Sequence, residues 1–225
     1  MKVGTDGVLL GAWCEVNEAR RILDIGTGSG VIALMMAQRS AVDAKIDAVE
    51  ILSNDATQAK ENVLVSPWPE KVTVTQCEIQ DYHPAERYDL IICNPPYFVK
   101  SLLPPNPGRR AVRHSGTLPH DELIAAVCRL LMPDGNFHLI LPSRESNLFR
   151  EEAARQGLHL RKFTRFFSRS GKPQQRALMT FGLSPAGTQD SVMKAQVIVE
   201  DSLYLYGPDR RPTEAYLGLT RDFYL

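Results

Sequence analysis

The residues best suited to chemistry are Asn94, Pro95, Pro96 and Tyr97, which follow the apolar run Leu90–Cys93. That run reads as a buried strand, and the prolines end it because neither can donate a hydrogen bond to a sheet. Each proline also restricts the residue before it to extended backbone, so the turn should be stiff. The Asn94 side-chain oxygen and the Pro95 carbonyl could together accept both N–H groups of an amine, while Tyr97 stacks on a planar base. Taken alone, the same residues could simply terminate a strand.

A second candidate ligand site is the segment Asp24–Gly30, which has glycines at positions 26, 28 and 30. A predicted strand precedes it and a predicted helix follows, an arrangement that lets backbone approach a nucleotide closely. A dinucleotide fingerprint would need a small residue where Val31 stands, and a phosphate-binding P-loop would need a Lys-Ser/Thr pair, which is absent. The segment resembles the first motif of the S-adenosylmethionine-dependent methyltransferases.

Acidic residues end the next two predicted strands. Glu50 follows the glycine segment by about twenty residues, the spacing at which a carboxylate accepts hydrogen bonds from ribose hydroxyls. Glu78 ends the strand after that, and in the methyltransferase pattern an acid here meets the adenine of the cofactor while Ile79 packs on the ring. Aspartate is more usual at this position, and Asp81 is a competitor for the role. We favour Glu78.

Short apolar strands alternate with helices along the chain, which predicts an α/β protein. We expect strands at Arg21–Ile25, Lys45–Glu50, Val72–Gln76, Arg87–Cys93, Asn136–Leu141, Leu158–Phe167, Arg176–Leu183 and Gln196–Glu200. We expect helices at Val31–Gln38, Asn54–Val65, Leu118–Met132, Ser143–Gln156 and from Thr213 to Phe223. A turn at Gly4–Gly7 should lead into a further short helix. These elements predict a mostly parallel, doubly wound sheet with an antiparallel C-terminal edge.

The glycine segment, Glu50 and the Asn-Pro-Pro-Tyr tetrapeptide together resemble the amino-methyltransferases, over about residues 1 to 183. The start, Lys2–Trp13, and the close, Tyr204–Asp209 with Glu214–Tyr216, are similar to the bacterial tRNA1(Val) (adenine(37)-N6)-methyltransferase family. The resemblance implies a Rossmann-like class I methyltransferase fold in one domain of residues 1–225. It also implies S-adenosyl-L-methionine as cofactor and N6 of adenine in tRNA, at position 37 of tRNA1(Val), as the methylated atom. The family usually has a longer N-terminus, so native residues are expected to precede this start.

The same resemblance assigns roles to residues. Asn94, Pro95 and Tyr97 would be catalytic, and Pro96 would contact the substrate. The residues expected to bind the cofactor are Thr5, Asp24, Gly26, Thr27, Gly28, Gly30, Glu50, Ile51, Glu78, Ile79 and Asn94.

Two stretches rich in cations could contact RNA. The segment 100–116 has no acid and carries Arg109, Arg110 and Arg113, which we expect to grip substrate phosphates. No acid occurs from Ala153 to Gln189 either, where arginines and lysines accumulate around three phenylalanines. The alternative for residues 100–116 is a solvated loop. The alternative for residues 153–189 is the polar face of a sheet edge.

The composition narrows the functional classes. The chain has 225 residues, 44% hydrophobic, with 26 Lys plus Arg against 26 Asp plus Glu, which is typical of a soluble globular protein. No apolar stretch reaches the ~20 residues of a membrane span and the start lacks a signal-peptide layout, so we expect a cytoplasmic protein. The cysteines have no Cys-x-x-Cys spacing, so neither metal site nor disulfide is predicted. A monomer is favoured.

Two other activities and one non-enzymatic function compete with this interpretation. A protein-glutamine N5-methyltransferase of release factors shares the tetrapeptide because a glutamine amide is an equally poor nucleophile. Another RNA or DNA amino-methyltransferase would also use it. A nucleotide-binding module without catalysis would need only the glycine segment, and the intact Asn94 and Tyr97 argue against it. The basic stretches favour an RNA substrate.

Overall fold

Helices and strands alternate through most of the computed structural model, which describes residues 4–16, 18–96, 118–184 and 198–224. The helices are α1 (Thr5–Trp13), α2 (Val31–Arg39), α3 (Ser53–Leu64), α4 (His120–Leu130), α5 (Ser143–Arg155) and α6 (Glu214–Thr220). The strands are β1 (Arg21–Ile25), β2 (Lys45–Glu50), β3 (Val72–Gln76), β4 (Tyr88–Cys93), β5 (Leu131–Pro142), β6 (Leu158–Arg169), β7 (Gln174–Leu183) and β8 (Val199–Tyr206). A 3-10 turn, Ile79–Asp81, follows β3. Within these ranges no helix has the length and apolar character needed to cross a membrane.

The strands form one sheet in the order β3-β2-β1-β4-β5-β7-β6-β8. Neighbouring strands are parallel except where β7 pairs with β5 and β6. This confirms the predicted mostly parallel sheet with an antiparallel C-terminal part, although the outermost strand, β8, runs parallel to β6. The chain leaves β1 toward β2 and β3 and returns to β4 on the other side of β1. Ligands bind in the crevice at such a reversal of strand order, beyond the carboxyl ends of the strands.

Helices cover both faces of the sheet and define two apolar clusters. Ile22 and Ile92 belong to the cluster that includes α1 and α2, and Leu23 belongs to the cluster that includes α4 and α5. Side chains alternate along a strand. Asp24 and Asn94, two residues beyond Ile22 and Ile92, therefore lie on the α1 side of the carboxyl edge.

The predicted turn at Gly4–Gly7 is wrong because these residues begin α1. Gly4 is the N-cap with extended backbone, and its carbonyl accepts hydrogen bonds from the N–H groups of Gly7 and Val8. The first helical turn therefore contains Thr5, Asp6 and Gly7. The glycine and threonine that suggested a turn are tolerated in this helix because every residue from Gly7 to Trp13 is buried by tertiary contacts.

The predicted boundary between α4 and β5 is also wrong. The helix ends at Leu130, and Leu131 is extended and pairs with Tyr88 of β4. The apolar Leu131 and Met132 continue the helical pattern in sequence but belong to the strand. Pro133 is accepted in β5 because the pairing register shifts there, and a proline without N–H is tolerated at such an irregularity.

The last strand lies further along the chain than Gln196–Glu200. It spans Val199–Tyr206, and it pairs in unbroken register with β6 from Lys162 to Arg169. Burial of Leu203 beside Phe166 fixes this register, because a slip of one residue would turn Leu203 to the opposite face. Part of the predicted range lies outside the described residues.

Candidate active site

The glycine segment after β1 is fixed against β2 by backbone hydrogen bonds. The N–H groups of Gly26 and Thr27 donate to the carbonyl of Val49 over 2.9 and 3.1 Å. Gly26, Gly28 and Gly30 have φ values of 69°, 57° and 84°, in the left-handed region that disfavours other residues. All three predicted glycines are therefore required by the backbone conformation.

Two of these glycines face different surroundings. A Cβ at Gly30 would lie 3.3 Å from the Cβ of Ala59, so Gly30 lets α3 pack closely on the start of α2. A Cβ at Gly26 would have no heavy atom within 4 Å, and Gly26 is exposed. The loop therefore presents bare backbone to open space at the carboxyl edge of β1, as a nucleotide-binding turn requires.

Asp24 is a buried acid at the base of this loop. Its relative exposure is 0%, and Oδ2 accepts a hydrogen bond from the Thr27 hydroxyl at 2.5 Å. The other carboxylate oxygen, Oδ1, is buried without a hydrogen-bond partner among the described residues. Burial raises the pKa of Asp24 to about 7, against the Thr27 hydrogen bond, which lowers it. An unsatisfied acceptor on an acid at this place favours a cationic or hydrogen-bond-donating ligand.

Glu50 ends β2 with both carboxylate oxygens held by backbone. Oε2 accepts the N–H of Gly28 at 2.8 Å, and Oε1 accepts the N–H of Leu52 at 2.9 Å. The side chain is buried, so its position is fixed, and each oxygen keeps a further lone pair for a ligand hydroxyl. Ile51, which follows it, is 41% exposed at the same edge.

The end of β3 joins the same edge. The N–H of Cys77 donates to the carbonyl of Glu50 at 3.1 Å, which places Glu78 directly after this contact. Ile79 is buried in the apolar cluster, while Glu78 is half-buried. Asp81, the competing acid, is exposed. Burial therefore favours Glu78 over Asp81 for a ligand contact.

Asn94 follows β4 beside the glycine segment, because Cys93 pairs with Ile25 at the ends of β4 and β1. Asn94 is half-buried, Pro95 is buried and Pro96 is exposed. An ideal Cβ built on Gly7 would lie 3.6 Å from Asn94 Nδ2, so α1 passes over the amide. Thr5, the first residue of α1, is exposed near this point. Tyr97, Arg109, Arg110 and Arg113 lie outside the described residues.

Helix α1 contributes to the site in a way that sequence reasoning missed. Arg176 of β7 donates from Nε to Asp6 Oδ2 at 2.8 Å, with both side chains largely buried, which fixes the first turn of α1. At the other end, Trp13 Nε1 donates to the Thr164 hydroxyl at 3.0 Å. Gly7 and Gly11 are four residues apart, the spacing that puts two small residues on one helix face. The spacing of Gly7 and Gly11 is the sequence feature from which a closely packed helix could have been predicted.

The site carries negative charge that nearby cations do not neutralise. Among the residues described, neither Asp24 nor Glu50 forms a salt bridge, although both are buried. The described ranges also contain no cluster of three or more His, Cys, Asp or Glu side chains that could hold a metal ion. An acidic crevice with exposed backbone at Gly26 is suited to a cationic nucleoside.

Comparisons with known proteins agree with this geometry. A family model described as the methyltransferase small domain matches residues 4–144. A protein of Aeromonas hydrophila subsp. hydrophila named tRNA1(Val) (adenine(37)-N6)-methyltransferase is 44% identical over 225 residues, covering 100% of this chain and 91% of that protein.

Two solved structures of methyltransferases have a fold similar to that of this chain. The crystal structure of a predicted O-methyltransferase from Agrobacterium tumefaciens is similar with a TM-score of 0.69, at 16% identity over 96% of both chains. A TehB-like SAM-dependent methyltransferase from Corynebacterium glutamicum gives a TM-score of 0.53 at 17% identity, covering 81% of this chain and 89% of that one. The predicted Rossmann-like methyltransferase fold is thereby confirmed. Because its sequence matches over the full length and the methyltransferase small domain model covers most of it, the chain belongs to the tRNA1(Val) (adenine(37)-N6)-methyltransferase family.

Proposed function

We propose that this protein transfers a methyl group from S-adenosylmethionine to N6 of an adenine in tRNA, with position 37 of tRNA1(Val) as the target. The observation that carries the proposal is the position of Asn94 beside the glycine segment at the reversal of strand order, under α1. The name of the Aeromonas relative supports the choice of target. Because the proposed substrate is a tRNA, we propose that the protein acts in the cytoplasm. We also propose that it is a single domain that functions as a monomer.

The residues of the crevice fit S-adenosylmethionine. The cofactor would supply a methyl group activated by a positively charged sulfonium, which suits the buried carboxylates of Asp24 and Glu50, neither of which forms a salt bridge with a described residue. The open space at Gly26 and the unsatisfied Oδ1 of Asp24 leave room and a polar partner for it. The residues that would hold it are Thr5, Asp24, Gly26, Thr27, Gly28, Gly30, Glu50, Ile51, Glu78, Ile79 and Asn94.

The proposed chemistry uses positioning and electrostatics. An exocyclic amine of adenine is a weak nucleophile because its lone pair is delocalised into the ring. Asn94 Oδ1 and the Pro95 carbonyl would accept its two N–H groups and favour a tetrahedral nitrogen with an available lone pair. Pro95 brings an acceptor without a competing N–H. No general base is required, since the surplus proton can leave to water after transfer.

The target adenine must leave its own base stack to reach Asn94. Tyr97 would stack on the extruded base, Pro96 would contact it, and Arg109, Arg110 and Arg113 would bind neighbouring phosphates. These assignments rest on the resemblance and on residue type.

The test is transfer of tritiated methyl groups from S-adenosylmethionine into separate RNA and protein fractions, followed by digestion of the labelled RNA to nucleosides. We expect the label in tRNA as N6-methyladenosine. Label in N5-methylglutamine of a release factor would instead establish the competing protein-glutamine activity. Saturable cofactor binding with no transfer into either fraction would favour a binding module.

A further inference from the structure

The hairpin formed by β6 and β7 extends to the same edge of the sheet as the candidate active site. Cys93 of β4 pairs with Leu139 of β5, and β5 continues to Pro142, which pairs with Arg176 near the start of β7. The tip of the hairpin, residues 170–173, therefore lies beyond the carboxyl edge of β5. Strand β8 ends there too, because Tyr206 pairs with Arg169.

An aromatic pair lies on one face of the two outermost strands. Phe167 of β6 is paired with Tyr204 of β8, and their rings stack with centroids 5.1 Å apart and planes 17° apart. Phe166 and Leu203 point into the apolar cluster of the α1 side, so Phe167 and Tyr204 lie on the opposite face. Both are half-buried, and Tyr206, two residues on, is 40% exposed.

Exposed cations lie at the same carboxyl edge as this aromatic pair. They are Arg169 and Lys172 of the hairpin and Arg210 and Arg211 of the turn after β8, and none forms a salt bridge within the described ranges. The acids of the β8–α6 segment are Asp209, whose Oδ1 accepts the N–H of Arg211, and Glu214. The Arg165–Glu200 and Lys162–Glu15 ion pairs lie further from this edge, towards the middle of the strands.

We propose that Phe167, Tyr204, Arg169 and Lys172, with Arg210 and Arg211, form a binding surface for single-stranded RNA at the carboxyl edge of the sheet, which also carries Asn94. We name this set the hairpin surface. The proposal rests on the proposed function and extends it from the reacting base to other nucleotides of the same RNA. Unpaired bases stack on aromatic side chains, and nearby cations bind their phosphates. Cations alone would suffice to keep a sheet edge soluble, whereas half-buried stacked rings beside them in sequence are suited to contact with bases.

The charge part of the proposal is tested with the double variant Arg169→Gln with Lys172→Gln. Its control is Lys60→Gln with Arg87→Gln, two exposed cations on α3 and before β4 that remove the same charge elsewhere. Affinity of the full-length protein for a tRNA1(Val) transcript is measured by fluorescence anisotropy at several salt concentrations. We expect the double variant to bind at least about tenfold more weakly, with the slope of log affinity against log salt reduced by about 1.4. A slope equal to that of the control would overturn the proposal.

The stacking part is tested at Tyr204. Tyr204→Phe keeps the ring and should bind the transcript like wild type, whereas Tyr204→Leu should bind several-fold more weakly with an unchanged salt slope. Thermal unfolding of both variants checks that the fold is intact. Equal affinity of the two variants would exclude a stacking role.

Failure of the proposed function is distinguishable from failure of this surface. A wild-type protein that binds the transcript but does not methylate it, with loss of binding in the variants, would sustain the surface and contradict the function. If the wild-type protein methylates the transcript and all variants bind it normally, the proposed function would stand and the hairpin surface would be contradicted. A wild-type protein that binds no RNA would contradict both.

Discussion

Asp24 and Glu50 lie at neighbouring strand ends, but their surroundings differ. Glu50 has both oxygens satisfied by backbone N–H groups, whereas Asp24 Oδ1 has no partner in the described part of the chain. Burial raises the pKa of Asp24 to about 7. Glu50 therefore acts as a fixed part of the loop, and Asp24 stores an unfavourable buried charge that a cationic ligand can relieve.

Asp24→Asn should change the pH dependence of stability. The folded pKa of about 7 lies above the ordinary aspartate pKa of 3.8, so the native state binds an additional proton between these pH values. Stability of wild type therefore falls as pH rises from about 4 to 7, by on the order of 4 kcal/mol, and stays low above that range. Asp24→Asn has no carboxyl group at this position, so its stability should not fall in this way over the same pH range.

Urea denaturation of both ligand-free proteins from pH 4 to 8 measures the effect. The free energy of unfolding of Asp24→Asn minus that of wild type should increase with pH up to about 7 and then level off. A difference that stays constant over the whole range would show that Asp24 ionises normally in the folded protein.

At the scale of elements, α1 is the part of the site that does not belong to the sheet. Its first turn is held to β7 by the Asp6–Arg176 ion pair, and its last turn to β6 by the Trp13–Thr164 hydrogen bond. Because Gly7 lies next to the Asn94 amide, the position of α1 helps to define the space above Asn94. The antiparallel strand β7 thus supports the active site through a helix that precedes it by more than a hundred residues.

Asp6→Asn should loosen the start of α1. Hydrogen bonds to charged groups that are shielded from solvent contribute about 1.5–3 kcal/mol, so we expect a loss of stability in this range. Glu15→Gln is the matched control, because it removes the ion pair between Lys162 and Glu15, which lies two residues beyond α1 and is 69% exposed. Exposed pairs contribute about 0–1 kcal/mol.

Chemical denaturation gives the two stability changes, and hydrogen exchange of the α1 amides shows whether the loss is local. Faster exchange in α1 of Asp6→Asn, with little change in Glu15→Gln, is the expected pattern. Equal effects of the two substitutions would mean that the Asp6–Arg176 pair has no special role in holding the helix.

The sequence predicted the first strands of the sheet better than it predicted the α4–β5 boundary and the contact of α1 with Asn94. Strands β1 and β2 begin and end where predicted, because buried parallel strands are short apolar runs bounded by loop residues. The edge strand β3 also matches its predicted bounds, which followed from the alternation of valine and threonine. The α4–β5 boundary could not be predicted, since Leu131 and Met132 fit either element until pairing with β4 decides. The contact of Gly7 with Asn94 depends on tertiary packing, so residue order alone does not reveal it.

On the scale of the whole molecule, an even charge balance coexists with an uneven distribution. The 26 cations and 26 acids of the chain cancel, yet acids line the crevice at β1 and β2 while exposed cations lie at the ends of β6 and β8. Both groups lie at the carboxyl edge of one sheet. This arrangement suits an enzyme that binds a cationic cofactor in the crevice and a polyanionic substrate beside it. The basic stretch seen in the sequence had two interpretations, and only the strand pairing shows that Arg169 and Lys172 reach the active-site edge.

The most direct test of the central claim is methyl transfer by Asn94→Ala, with Asn147→Ala on the exposed face of α5 as control. Single-turnover transfer to tRNA1(Val) measures the chemical step, and calorimetry measures S-adenosylmethionine affinity. Because the amide accepts from the amine mainly in the transition state, we expect at least about a hundredfold loss of rate, with cofactor affinity within a few-fold of wild type. The control should match wild type in both. Transfer by Asn94→Ala at the wild-type rate would contradict the proposed role of Asn94.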